Sequence, residues 1–173
     1  MKAKRARWAL CWLVLLAGLS CQSASVEVTT VFVVRHAEKA VVQGDDPPLS
    51  EAGLERALLL NQMLAQAGVT NLYASQFKRT QQTLQPLAEE WNLKPVIVDA
   101  RKVPDLVKRL MEESRGGTAV IASHSNLVPA ILKQLGVPNQ LVITEQQYDD
   151  LFVVNLQEGK AHLIHLKYGR SSR

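Results

Sequence analysis
The sequence predicts an α/β fold with three layers, α/β/α: helices on both faces of a mostly parallel sheet, with a late antiparallel hairpin. Three observations carry this expectation. Segments rich in β-branched residues alternate with segments of helical periodicity in the order β-α-β-α-β-α-β-α-β-β. Thr118–Ala122 is apolar on both faces, as a central strand between two helical layers must be. The last two strand-like runs, Leu151–Leu156 and Ala161–Leu166, flank Gln157–Lys160, which reads as a hairpin turn.

Each element has its own signal. Val26–Val34 is dense in Val, Thr and Phe, which suit a pleated surface. Residues 39–49 hold Gly44, Asp45, Asp46, Pro47 and Pro48 and read as a mobile loop beside the end of that strand. Ser50 can cap a helix running to about Gln66, with Leu54, Ala57, Leu58, Leu60, Met63 and Leu64 as its apolar positions and Gly68 as its stop. Asn71–Ser75 is a short strand. Lys78–Trp91 has helical periodicity, and Pro86 is expected to kink or break it, because proline removes a donor. Pro95–Val98 is a strand, and Pro104–Glu113 is a helix with proline in its first turn. Gly116-Gly117 turns the chain into Thr118–Ala122, and Leu127–Leu135 is a helix ending at Gly136. There is no internal repeat and no low-complexity tract.

Length and composition fit one globular domain: 173 residues, 47% hydrophobic and 21% charged. The domain is expected to span residues 26–169, with 170–173 as a frayed tail. The first twenty residues read as an address. Lys2, Lys4, Arg5 and Arg7 precede the apolar run Trp8–Leu19, which is short of the roughly 20 apolar residues a spanning helix needs. Gly18-Leu19-Ser20-Cys21 resembles a bacterial lipobox, with Gly18 where leucine is usual. Cys21 would then be lipidated and become the mature N-terminus, with residues 21–25 as a short tether. Cleavage after Ser23-Ala24-Ser25 and an uncleaved anchor are the alternative readings. All three put the domain outside the cytoplasm, in a bacterial envelope or periplasm, and the favoured one ties it to the membrane only through a lipid.

Charge and cysteine usage exclude several classes. The net charge is +4, but removing the four leader cations from the 20 basic residues leaves 16 against 16 acidic ones. A domain of zero net charge gives no support to nucleic-acid binding. Two cysteines, Cys11 and Cys21, exclude a disulfide scaffold and a cysteine zinc cluster.

In open α/β sheets ligands sit beyond the carboxyl ends of the strands. Three such ends here deliver Arg35-His36-Ala37-Glu38-Lys39, then Lys78-Arg79, then Ser123-His124-Ser125-Asn126. Two arginines and two histidines converging from separate strands indicate a phosphate site, since guanidinium groups grip phosphate oxygens in a fixed fork. His36 alone would read as a structural histidine, and Arg79 alone as a surface one. Lys78, Arg101 and Lys102 read as solvated charges that could rim a pocket. His162 and His165 lie three apart on a strand and face opposite sides, so both read as ordinary hairpin residues. Trp91 reads as core or helix-end packing. Ser123 and Ser125 lack the Gly-x-Ser-x-Gly elbow of a serine hydrolase.

Four stretches in order resemble the histidine phosphatase superfamily, also called phosphoglycerate mutase-like. They are Arg35-His36-Ala37; Leu49-Ser50-Glu51-Ala52-Gly53 followed by Arg56-Ala57; Ser75-Gln76-Phe77-Lys78-Arg79-Thr80-Gln81-Gln82-Thr83; and His124 after a late strand. The resemblance covers about residues 28–168 and implies a phosphoglycerate mutase-like fold. It implies that His36 attacks phosphorus to form a phosphohistidine, that Arg35, Arg79 and His124 hold the phosphoryl oxygens, and that no metal or other cofactor takes part. Ser125 or Asn126 could donate a hydrogen bond to the substrate. Ala37 replaces the usual glycine, which requires a negative φ there, and Ser123 replaces another. Many members carry an acid shortly after the third strand, where this chain reads Asp99-Ala100-Arg101-Lys102. Glu38, Asp99 and Asp105 are the candidate general acids, with Glu38 preferred for its closeness to His36; small members of the family manage without one.

The expected function is a metal-independent phosphomonoesterase acting on a small phosphorylated substrate outside the cytoplasm, such as an envelope sugar phosphate. The alternative is a member that binds a phosphorylated ligand without turning it over. The short link between Ala40 and Ser50 leaves little room for a lid and counts against a mutase.

Overall fold
The structure, a computed structural model, describes residues 27–138 and 140–172. The leader, Cys21 and the tether lie outside the described residues. The chain order is β1 (Val28–Arg35), α1 (Glu51–Leu64), β2 (Val69–Ala74), α2 (Lys78–Glu90), β3 (Val96–Ile97), α3 (Val103–Glu113), β4 (Thr118–Ser123), α4 (Val128–Gln134), β5 (Asp150–Gln157) and β6 (Lys160–Lys167). The strands form one sheet in the order β3-β2-β4-β1-β5-β6. β1, β2, β3 and β4 run parallel, while β5 pairs antiparallel with β1 and β6 antiparallel with β5. This is the mixed α/β sheet expected, with β4 inside it.

Strand alternation divides the core. Val31, Val33, Ala119 and Ile121 face α3 and α4, where they meet Leu106, Leu110, Ile131 and Leu132. Val34, Val120 and Ala122 face the other way, toward Leu60 and Leu64 of α1 and Leu84 and Leu87 of α2. A period of two along each strand therefore feeds two helical layers at once.

Helix α1 differs from its expected packing. Ser50 caps it as predicted, its Oγ accepting the Gly53 N–H at 3.2 Å. The buried stripe, however, is Gly53, Ala57, Leu60 and Leu64, while Leu54, Leu58 and Met63 are exposed. Arg56 is buried instead, because its guanidinium finds a carboxylate and two carbonyls. Gly53 touches the chain after β1: a Cβ there would stand 2.2 Å from the Glu38 carbonyl oxygen.

Pro86 neither ends nor splits α2, which runs unbroken from Lys78 to Glu90. Leu84 and Leu87 are fully buried on either side of it, so core packing outweighs one missing backbone bond. Trp91 follows the helix and packs against the same core, as expected. β3 is shorter than predicted. The β5–β6 turn is tighter than predicted: Glu158 at φ 49° and Gly159 at φ 73° form a two-residue connection whose left-handed backbone suits strand twist.

Candidate active site
The carboxyl ends of β1, β2 and β4 lie at one edge of the sheet, and β5 starts at that edge, since Leu151 pairs with Val34. The edge holds a cavity of about 320 Å³ lined by Arg35, His36, Lys39, Phe77, Arg79, Ala100, Arg101, His124, Ser125, Asn126, Leu127 and Glu145. The four residues predicted as catalytic and the two predicted as substrate contacts thus line one cavity.

His36 is buried, and its backbone N–H extends the sheet by donating to the Ser123 carbonyl at 2.8 Å. Its Nδ1 lies 2.8 Å from the Ala37 carbonyl oxygen. A carbonyl only accepts, so Nδ1 carries the proton and Nε2 keeps its lone pair. Burial drives the His36 pKa down to about 3, aided by the nearby cations Arg35 and Arg79 and by His124, against the opposing pull of the Ala37 bond. The ring is therefore neutral and nucleophilic at neutral pH. Ala37 does not adopt a positive φ, which meets the condition for alanine in place of glycine. It is fully buried, and its N–H donates to Thr83 Oγ1 at 2.9 Å.

His124 is set by the stretch that begins at Ser75. Its Nε2 lies 3.0 Å from Ser75 Oγ, which in turn lies 2.9 Å from Thr80 Oγ1. Its ring meets that of His36 edge-on at 5.4 Å. Burial, with Arg79 and Arg35, lowers its pKa to about 4. The spacing of Ser75, Thr80 and Thr83 thus has a mechanical reading: Ser75 and Thr80 orient His124, while Thr83 ties α2 to the turn after His36, its hydroxyl donating to the Arg79 carbonyl at 2.7 Å.

Arg79 stands on the first turn of α2 with its guanidinium over Phe77 at 4.4 Å. Its nearest carboxylate, on Asp46, is 3.7 Å away, and one terminal nitrogen is buried with no hydrogen-bond partner. Arg35 is 2% exposed; its Nε also lacks a partner. Its other nitrogens clasp the segment before β5: one donates to the carbonyls of Thr144 and Gln147 at 2.9 and 3.0 Å, the other to Glu145 Oε2 at 3.0 Å. The guanidinium also stacks on Tyr148 at 4.0 Å. Buried N–H groups without acceptors in a concave cationic site are suited to an anion that brings its own oxygens.

The preferred acid is not in this cavity. Glu38 turns away to Arg56, which grips both carboxylate oxygens with bonds of 2.8–3.0 Å. Arg56 also donates to the carbonyls of Tyr168 and Arg170, so Glu38 belongs to a clamp on the C-terminal segment. Asp99 is held by Arg101 and Asp105 by Lys102, and neither lines the cavity. Of the predicted rim cations, Arg101 lines it and Lys78 and Lys102 do not.

Two residues in the site region escaped the sequence reading. Glu145 lines the cavity and accepts from Ser125 Oγ at 2.5 Å; that hydroxyl, with Arg35 and Lys39, holds its carboxyl below the usual range against the opposing effect of burial. Tyr148 lies beside it, its ring 6.1 Å from that of His36. The only signal was a long stretch without periodicity before β5. His165 is also more than an ordinary hairpin residue: it stacks on Phe152 and bonds buried Asp150 at 2.6 Å. The 39–49 loop is closed by a Lys39–Leu49 bridge, and its Asp46 accepts the Lys78 N–H.

Residues 31–102 match the histidine phosphatase superfamily (branch 1). An 8-oxo-(d)GTP phosphatase of Mycolicibacterium smegmatis is 32% identical over 121 residues, which are 62% of this chain and 38% of that protein. The chain thus spans well under half the length of this curated relative. Among solved structures, a phosphoglycerate mutase from Bacillus anthracis superposes with a TM-score of 0.67 at 16% identity, covering 82% of this chain and 93% of that one. The protein histidine phosphatase SixA complexed with tungstate gives 0.63 at 22% identity, covering 80% and 96%. A mycobacterial glucosyl-3-phosphoglycerate phosphatase gives 0.62 at 14%, covering 83% and 100%. At such identities these likenesses show the fold. Residues 31–102 are thus similar to the histidine phosphatase superfamily, and the fold is that of phosphoglycerate mutase-like structures.

Proposed function
We propose that this chain is a metal-independent phosphomonoesterase that works through a phosphohistidine at His36. The observation that carries the reading is the pairing of a nucleophile with a cationic cradle. His36 keeps its Nε2 lone pair because Nδ1–H is committed to Ala37, and Arg35 and Arg79 beside it each hold a buried N–H that makes no hydrogen bond, that of Arg79 being only loosely paired with Asp46 at 3.7 Å. In the first step Nε2 attacks phosphorus and the ester oxygen leaves. Arg35, Arg79 and His124 hold the equatorial oxygens and take up their charge. In the second step water breaks the P–N bond and releases inorganic phosphate. Ser125 and Asn126, on the rim of the cavity, are proposed to contact the substrate.

The test is turnover of p-nitrophenyl phosphate by EDTA-treated protein, with His36→Ala in parallel and acid-quenched protein assayed for phosphohistidine. Metal-independent release of phosphate that disappears with His36 is the expected result. Near-normal turnover in the variant would remove the covalent mechanism. One observation favours a second reading, a chain that binds a phosphorylated ligand without turnover: none of Glu38, Asp99 and Asp105 reaches the cavity. Tight vanadate binding with no release from any ester would select it.

The proposed substrate is a small phosphorylated compound outside the cytoplasm, an envelope sugar phosphate being the favoured kind, with lipid on Cys21 as the anchor. This part rests on the order of charges, apolar run and cysteine within residues 1–21. Cys21→Ser should move the protein from the membrane to the soluble fraction; retention in the membrane would refute the lipobox assignment.

A further inference from the structure
We propose that Glu145 is the general acid and base of this site, resting on the phosphatase reading above. Among the described residues it supplies the only carboxylate lining the cavity that holds His36, Arg79 and His124. It stands where a phosphoryl group must go: one oxygen takes the Ser125 hydroxyl at 2.5 Å, the other takes Arg35 at 3.0 Å. An incoming phosphoryl group competes for those same donors and pushes the carboxylate aside. It cannot push it far. The opposite nitrogen of Arg35 holds the Thr144 and Gln147 carbonyls, and the guanidinium is stacked on Tyr148, so the backbone on both sides of Glu145 stays fixed at the cavity. The side chain itself is 69% exposed, free to rotate and in contact with solvent protons.

The local field then favours protonation. Arg35, Lys39, Arg79 and Arg101 all line the cavity, but a phosphoryl dianion placed directly beside Glu145 raises the proton affinity of its carboxylate. Displacement from Arg35 and Ser125 also removes the groups that hold its carboxyl ionised. Glu145 therefore takes a proton from solvent as the substrate binds. When His36 Nε2 bonds to phosphorus and the ester P–O bond breaks, that proton passes to the leaving oxygen. The carboxylate then takes a proton from the water that attacks phosphorus, the P–N bond breaks, and Glu145 ends protonated beside inorganic phosphate. Arg35, His36 and Lys39 act on it from β1 and the segment after it, Arg79 from α2, and His124 and Ser125 from the segment after β4, so the pH dependence of this step belongs to that set.

The experiment compares an ester with a good leaving group, p-nitrophenyl phosphate, with an alkyl ester, glycerol phosphate, in wild type, Glu145→Gln, Glu145→Asp and Glu38→Gln. General acid catalysis contributes about 10²–10⁴-fold where the leaving group needs the proton. Glu145→Gln should raise the ratio of kcat/KM on the aryl ester to that on the alkyl ester by about 100-fold or more, and abolish the basic limb of the alkyl-ester pH profile. Glu145→Asp should recover part of the ratio, and Glu38→Gln should not change it. An unchanged ratio in Glu145→Gln overturns the proposal. So does tighter inhibition by phosphate with both esters accelerated alike, which would mark a carboxylate that only blocks the site. If wild type turns over neither ester, the phosphatase reading itself fails and the acid–base role falls with it.

Discussion
Lowering the pH from 7 to 5 should destabilise this fold through two side chains, His36 and His124. Both are buried and neutral, with pKa values of about 3 and about 4, against 6.5 for a free imidazole. A base with a depressed folded pKa makes the unfolded chain bind more protons, so stability is full above pH 6.5 and falls as pH drops toward the folded value. Between pH 7 and 5 an unfolded imidazole gains most of a proton and the folded one almost none, which amounts to about 2 kcal/mol per residue at 1.36 kcal/mol per pKa unit. The two together contribute about 4 kcal/mol, a large share of the 5–15 kcal/mol typical of a domain. Carboxylates add little in this window, because their unfolded values lie below pH 5. The assay is urea denaturation at pH 7 and pH 5 for wild type, His36→Asn, His124→Asn and the double variant. Each single variant should lose about 2 kcal/mol of the pH dependence, whatever its stability at pH 7. If the double variant keeps the wild-type dependence, the two imidazoles are not buried neutral and the nucleophile assignment loses its basis.

Other outcomes follow from the same geometry. Arg79→Ala should weaken vanadate binding and lower kcat by about 10²-fold or more with little change in Tm, since its nearest carboxylate is 3.7 Å away. Glu38→Gln should cost about 3 kcal/mol in denaturant by leaving buried Arg56 without its carboxylate, while kcat on p-nitrophenyl phosphate stays near wild type; a collapse of kcat with unchanged stability would restore Glu38 as the acid. Gly53→Ala should destabilise by about 1–3 kcal/mol or more, as its Cβ would stand 2.2 Å from a backbone oxygen, whereas Leu54→Ala on the exposed face should cost well under 1 kcal/mol by the same titration.

The legible parts of this molecule are those that repeat a physical period or sit at a strand end. The two-residue alternation of Val31–Val34 and Val120–Ala122 marks a sheet covered on both sides, and strand ends collect the side chains that face a ligand. Arg35, His36, Arg79 and His124 could therefore be placed together before any coordinates. Burial on α1 was harder, because Arg56 looks like a surface residue until its partners at Glu38, Tyr168 and Arg170 are known, and those lie up to 114 positions away. Glu38 was misjudged because nearness in sequence does not set direction: after Ala37 the chain turns to meet Leu49 and Ser50, which aims the carboxylate at α1. Glu145 and Tyr148 sit in a segment with no period. Their place follows only once β5 is known to run antiparallel beside β1, which brings the start of β5, and the loop before it, to the ligand edge.

The pairing of β1 with β4 and β5, and not with the strand that follows it, sets the timing of assembly. β1 finds no neighbour in the sheet before residues 118–123, and its second neighbour lies at 150–157. Arg35 waits for the carbonyl of Gln147, 112 positions on, before its guanidinium is fixed. Such non-local pairing makes collapse slow relative to local helix formation. Truncation anywhere before Asp150 should therefore remove the site along with the sheet.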